Sequence, residues 1–368
     1  MSATADARRD ELPGGAEGAI GAPSDEVMLA VDDLHVSFPT EDGVVQAVRG
    51  VSYEVHRNEV FGIVGESGCG KSVSSMALMG LLPKTARISG QARYLGEELL
   101  GRPDREVRGL RGSKIAMIFQ DPMTSLNPVY TIGRQLSEAV LAHDRIPPKQ
   151  AMARSIEMLE LVGIPQAKKR AKSYPHEFSG GMRQRVMIAM AIINDPDIII
   201  ADEPTTALDV TVQAQILETL MEVKEEVGAA VVLITHDLGV IAGVADRVGV
   251  MYAGRFVETG PVGDIFHATR MPYTAGLLGS IPVLDDDADQ LVPIGGAPPT
   301  LIDPPSGCAF SPRCPLSTER CDADDPALER CDRPGHLVAC HHWEQLVGED
   351  DPTRLYAPPG TVAPEGAS

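Results

Sequence analysis

Aromatic side chains are scarce: Phe, Trp and Tyr make up 4% of 368 residues, with Trp343 the single tryptophan. A core must therefore be built from Ala, Val, Ile, Leu and Met. No apolar run approaches the ~18 residues that span a bilayer. The longest, near Ala229–Ile234, reads as a buried strand. Basic residues are outnumbered 32 to 52, and the formal charge is −20. A field of that sign repels phosphate backbones and argues against a nucleic-acid partner. Arg8 and Arg9 precede no apolar core, so secretion is not expected. The apolar share of 43% and charged share of 23% suit a soluble intracellular chain with room for two or three domains.

Texture divides the chain. Residues 1–26 are rich in Ala, Gly, Asp and Glu, and the stretch cannot bury enough surface to offset its ordering entropy; it reads as a disordered tail. From 27 to 266, strand-like apolar runs alternate with helical patterns, as in an α/β domain. Beyond 266 lie about half of the 29 prolines and five of the six cysteines. Loops and turns are expected over 267–345, followed by a solvated acidic tail at 346–368. The acidic run Asp285–Asp289 reads as solvated too. No internal repeat is evident.

What is present is a phosphate-binding pattern. The apolar run Val60–Val64 leads into Gly65-Glu66-Ser67-Gly68-Cys69-Gly70-Lys71-Ser72, and an apolar helix follows from Val73 to Leu82. This is G-x-x-x-x-G-K-[ST] in its strand-to-helix context. The glycines let backbone N–H groups turn inward around phosphates. Lys71 would neutralise the terminal phosphates and the Ser72 hydroxyl would reach Mg²⁺. A second buried strand, Ile198–Ala201, ends in Asp202-Glu203, which can hold Mg²⁺ and polarise a water. Between them, Ser179 caps an apolar helix entered through Gly180 and Gly181. A third strand, Val231–Thr235, ends at His236. The signature helix and the lone histidine are weak signals by themselves.

Together and in this order the motifs resemble the ATP-binding cassette superfamily over roughly 27–266, with a helical subdomain at about 121–185. The implied fold is an α/β P-loop cassette core carrying a helical subdomain and a Cys/Pro-rich, loop-dominated C-terminal extension. The resemblance implies that Phe38 stacks on adenine, where Tyr is more usual. It implies that Gly65, Ser67, Gly68, Cys69, Gly70, Lys71, Ser72 and Gln120 bind ATP, with Ser72, Gln120 and Asp202 around Mg²⁺. Glu203 would be the general base, His236 a γ-phosphate contact and Gln120 a sensor of Mg²⁺ and water. Ser179, Gly180, Gly181 and Met182 form the signature, with Phe178 in place of the commoner Leu and Met182 in place of Gln. In the family's head-to-tail sandwich this signature faces the partner's nucleotide, with Asp209 in the adjoining D-loop.

The stretch Gln120–Pro128, the run Pro272–Leu278 and the segment Gly307–Cys314 resemble the ATPases of di- and oligopeptide importers, in their "D"-type form. Met271 stands where that branch has His. The resemblance implies partners: two membrane permeases, a second ATPase (a paralogue rather than a copy) and an extracytoplasmic peptide-binding protein. The chain would then sit peripherally on the cytoplasmic face of the membrane. A sibling branch importing nickel chelates is the alternative. Cassette ATPases of DNA maintenance insert coiled coils between P-loop and signature, whereas 108 positions separate Lys71 from Ser179 here. Translation-associated cassette proteins carry two cassettes in one chain.

Two cysteine expectations complete the reading. Cys69, near a helix N-terminus and Lys71, is expected to have a lowered thiol pKa and to be reactive. Cys308, Cys314, Cys321, Cys331 and Cys340 fall within 33 residues. In an intracellular chain such a cluster points to metal, and four thiolates suit iron–sulfur or Zn²⁺ about equally. The resemblance implies a 4Fe–4S cluster held by Cys308, Cys314, Cys321 and Cys340, with Cys331 outside it. His341 and His342 stay as alternative ligands.

Overall fold

The computed structural model describes residues 25–206, 208–281, 293–349 and 351–356. The acidic run 285–289, most of the N-terminal tail and the end of the C-terminal tail lie outside the described residues, as does Ala207. The chain opens with a long hairpin, β1 (Val27–Thr40) and β2 (Gly43–His56), then β3 (Val60–Val64) and helix α1 (Lys71–Leu78). Strands β4 (Arg87–Tyr94) and β5 (Glu97–Glu98), helix α2 (Asp104–Leu110) and strand β6 (Ile115–Ile118) follow. A helical section comes next: α3 (Pro122–Ser125), α4 (Ile132–Leu141), α5 (Pro148–Leu161), α6 (Ala167–Arg170) and α7 (Gly180–Ile192). The chain returns through β7 (Ile198–Asp202), α8 (Val210–Val227), β8 (Ala230–Thr235), α9 (Leu238–Ala242), β9 (Arg247–Tyr252) and β10 (Arg255–Pro261).

One sheet is antiparallel, ordered β2-β1-β4-β5; the other has a parallel centre, β9-β3-β8-β7-β6, with β10 antiparallel at the β9 edge. Strands β3, β7 and β8 are buried along their whole length. That is why they read as unbroken apolar runs, as central strands covered on both faces must. Alternation still sorts their side chains. Val60, Val64, Ile199 and Leu233 join the core shared with α4, α5, α7 and α8, whereas Phe61, Ile63, Ile200 and Val232 join the core beneath the antiparallel sheet. Strands β3, β8 and β7 are immediate neighbours and parallel. The P-loop, His236 and Asp202-Glu203 therefore leave the same carboxyl edge, the usual place for ligands in open α/β sheets.

The extension shares the cassette's apolar core through Met271, Tyr273, Phe310 and Val338, and polar contacts fix it further. Helices α10 (Val262–His267) and α11 (Pro272–Leu278) precede two-residue strands β11 (Glu329–Arg330) and β12 (Leu337–Val338), and β12 pairs with β10. Glu258, fully buried on β10, accepts hydrogen bonds from Thr269 Oγ1 at 2.8 Å and from the Arg270 N–H at 2.5 Å. Its Oε1 also lies 2.9 Å from His336 Nε2. Arg270 donates from Nε and Nη2 to the two oxygens of Asp332, both at 2.9 Å. A buried carboxylate is tolerable when its lone pairs are filled in this way.

The tail expected from 346 onward needs correction. Leu346 is buried in a 3₁₀ turn, and Tyr356 donates from its hydroxyl to the Pro272 carbonyl at 2.8 Å. A charged composition does not exclude a few anchors, and Tyr356 ties the turn at Pro352–Tyr356 to the start of α11.

Candidate nucleotide-binding site

The P-loop's shape follows from its glycines. Gly65 (φ +154°) and Gly70 (φ +108°) sit where a Cβ would lie 2.1 Å from the Met251 carbonyl oxygen and 2.2 Å from that of Ala47. Only glycine permits both the left-handed backbone and that approach. Gly70 then hands the chain to α1, whose first residue is Lys71. Lys71 is buried, and its Nζ donates to the Gly65 carbonyl at 2.7 Å and the Glu66 carbonyl at 3.1 Å. This holds a mobile cation inside the curve of the loop. Ser67 and Gly68, by contrast, are exposed on its rim.

Beside it, Ser72 Oγ donates to Asp202 Oδ1 at 2.8 Å. Asp202 is buried at the end of β7, and burial pushes its carboxyl above the usual range. A carboxylate placed where the protein disfavours its charge, next to a free-turning hydroxyl, is a fitting oxygen donor set for a divalent cation. Glu203 follows with φ +46°, a left-handed conformation rare for a side-chain-bearing residue. Three groups converge on its carboxylate. Gln120 Nε2 and Thr206 Oγ1 each donate to Oε2 at 2.8 Å, and His236 Nδ1 lies 3.4 Å from Oε1. Gln120, Glu203 and His236 are thus brought together. Thr206 was missed; its only sequence cue is a hydroxyl three residues after Glu203 in a tight turn.

The signature stands apart, at the start of α7. Ser179 is its N-cap, accepting from the Met182 N–H at 3.4 Å, and Ser179 and Gly180 are exposed. Asp209 caps α8 in the same manner, accepting from Val212 N–H at 3.0 Å. A Cβ on Gly181 would come within 2.7 Å of Val212, so the two helix starts are closely packed. Phe38, half-buried near the end of β1, pairs with Val45 of the hairpin.

The expectation for Cys69 is overturned. It is buried, and desolvation pushes its thiol up despite the neighbouring Lys71, 4.0 Å away. Helix and lysine both favour a thiolate, but removal from water outweighs them here.

In the extension, Cys308, Cys314, Cys321 and Cys340 line one small pocket together with Phe310 and Met271. Cys331 is not among its lining residues and instead lies with its Sγ 3.5 Å from the His336 carbonyl oxygen. All six cysteines are free thiols. No group of three or more His, Cys, Asp or Glu side chains among the described residues is gathered so as to hold a metal ion.

With this geometry in view, comparison with known proteins is decisive. The ABC transporter family matches residues 48–206, and the C-terminal region family of oligopeptide/dipeptide transporters matches 257–321. The chain is 54% identical over 322 residues to the dipeptide transport ATP-binding protein DppD of Bacillus subtilis, covering 87% of this chain and 95% of that one. It belongs to the ABC transporter ATP-binding family. The oligopeptide transport ATP-binding protein OppD of Salmonella typhimurium is 51% identical over 325 residues, with 88% of this chain and 96% of that protein covered. OppD of Mycobacterium tuberculosis is 52% identical over 323 residues, 87% of this chain; the chain spans 53% of that longer protein. Among solved structures, a dimeric ATP-binding cassette in a post-hydrolysis state with ADP and Pi superposes with a TM-score of 0.57 at 26% identity. It covers 64% of this chain and 99% of its own.

Proposed function

We propose that this chain is the ATP-hydrolysing subunit of an importer of di- or oligopeptides. The observation that carries the reading is the meeting of Gln120, Thr206 and His236 on Glu203, one strand from a P-loop whose Ser72 touches Asp202. Hydrolysis of a phosphoanhydride asks for positioning and charge stabilisation more than covalent chemistry. Lys71 and the N–H groups of the P-loop receive the phosphates. Ser72 and Asp202, with Gln120, hold Mg²⁺, which supplies charge neutralisation when bound. Glu203 takes a proton from the attacking water, and His236 donates toward the γ-phosphate. Phe38 supports the adenine.

A Ser179-Gly180-Gly181-Met182 signature that exposes Ser179 and Gly180 has its use opposite a second cassette, with Asp209 between them. The partners are two permeases, a second and paralogous ATPase, and an extracytoplasmic peptide-binding protein. No helix among the described residues is long and apolar enough to cross a membrane. The permeases therefore supply the pathway, with this chain on the cytoplasmic face. We divide the chain into the cassette, 27–266, and the extension, 267–345.

The cysteine pocket supports an iron–sulfur cluster on Cys308, Cys314, Cys321 and Cys340. Burial pushes Cys314 up to about 11 and Cys340 up to about 12, so the bare thiols are protonated at neutral pH. Binding would release those protons, and the cluster would serve as a staple for a loop-rich region. The His342 N–H already donates to Cys340 Sγ at 3.4 Å. Four thiolates suit a cluster or a single Zn²⁺ on chemistry alone, and metal analysis of the purified protein separates the two.

The test is purification of the complex from its native membrane, followed by ATPase assay in liposomes. Co-purifying multi-span proteins and hydrolysis stimulated by peptide with its binding protein are expected. Co-purification with DNA or ribosomes instead would reject the reading.

A further inference from the structure

The P-loop carries a carboxylate that phosphate binding does not ask for. Glu66 directly follows Gly65, within a loop that receives a polyanion, and like charges there oppose binding. Its side chain is held by Arg313, from the far extension. Nη1 donates to Oε2 at 2.7 Å and Nη2 to Oε1 at 2.8 Å, a two-point fork. The Arg313 side chain is 4% exposed, so the pair is well shielded from solvent on its cationic side. Arg313 is itself fixed. Its Nε donates to the Gly295 carbonyl at 2.9 Å, and Nη1 reaches the Tyr252 hydroxyl at 3.3 Å.

The loop's backbone is held from the same side. The Glu66 N–H donates to the Tyr273 hydroxyl at 2.9 Å. Tyr273, Tyr252 and Phe310 pack with ring centroids 4.5 to 5.3 Å apart, and the Arg313 guanidinium lies 5.8 Å from the centres of both Tyr252 and Phe310. Phe310 and Arg313 lie in the short turn between Cys308 and Cys314. Main chain and side chain of one P-loop residue are therefore both gripped by the extension.

We infer that Arg313 is a positioning residue for ATP: by neutralising Glu66 and fixing it, the extension sets the affinity of the P-loop. This rests on the nucleotide-binding reading above. Removing the guanidinium leaves a carboxylate beside the incoming phosphates, and removing that carboxylate as well restores neutrality. A bond that merely glued the extension to the cassette would show no such rescue.

The experiment measures Mg²⁺–mant-ATP binding by the full chain, with ATP KM and kcat in the assembled transporter. Arg313→Met should weaken binding about tenfold and raise KM, leaving kcat at saturating ATP nearly unchanged. The double variant Glu66→Gln/Arg313→Met should return to within about threefold of wild type. Arg313→Lys, which keeps charge but not the fork, should fall between and serves if Arg313→Met does not fold. Wild-type affinity in Arg313→Met, or a double variant no better than the single, overturns the inference. Failure of the wild-type chain to bind the nucleotide would instead overturn the reading on which it rests.

Discussion

The cassette and the extension solve the same problem, placing side chains, by opposite means. In the cassette, continuous apolar strands set the positions. Val60–Val64, Ile198–Asp202 and Ala230–Thr235 pair in parallel register, and their ends deliver Lys71, Glu203 and His236 to one edge. In the extension, regular structure is short; a few apolar side chains such as Tyr273 and Phe310 seat it on the cassette's core, and charged and polar clamps set its position: Glu258 with Thr269 and His336, Arg270 with Asp332, Arg313 with Glu66. Burial that needs only apolar pattern is robust and leaves a clear trace in sequence. Clamps between residues far apart in the chain are specific but leave none.

The sharpest break on the cassette side is Gly70→Ala. The added methyl meets the Ala47 carbonyl oxygen in a backbone conformation that alanine avoids. We expect nucleotide affinity to fall by about 100-fold or more, read by mant-ATP titration. Wild-type affinity there would mean that the loop's shape is not set by its backbone. On the extension side, Cys314→Ser should abolish iron content in protein purified without oxygen, while Cys331→Ser should retain about four irons per chain. Stoichiometric zinc in the wild type would replace the cluster, and equal loss in both variants would refute the division between the pocket and Cys331.

The smallest effect tests a single clamp. Asp332 is held down to about 2 by hydrogen bonding to Arg270. Its folded value lies below its unfolded one, so its contribution is present above the ordinary carboxylate range and fades as pH falls toward 2. The carboxylate is 34% exposed and screened, so Asp332→Asn should cost no more than about 1 kcal/mol at neutral pH. That difference should shrink in acid melts. A gap that widens on acidification would reverse the assigned sign.

How much of this was legible follows from the same contrast. The P-loop and Asp202-Glu203 could be read because motif and flanking strands lie together in the chain, whereas Gln120 and His236 gained their roles only from the family resemblance. The fate of Cys69 could not: its local neighbours favour a thiolate, and only the packed core around it, invisible in sequence, reverses the balance. Thr206 was hidden because a hydroxyl near a motif is common. Arg313 was hidden because nothing in the sequence ties it to Glu66, 247 positions away. Leu346 and Tyr356 were passed over inside a charged stretch, where one is buried and the other bonds through its hydroxyl to Pro272.

The central claim is that the groups meeting on Glu203 make this chain's own P-loop site hydrolytic. The most direct measurement is ATP turnover by Glu203→Gln in the assembled transporter, alongside mant-ATP affinity. The amide keeps the shape and loses the base. Affinity should stay within about twofold of wild type while turnover falls by about 100-fold or more. Unchanged turnover with intact binding would contradict the account.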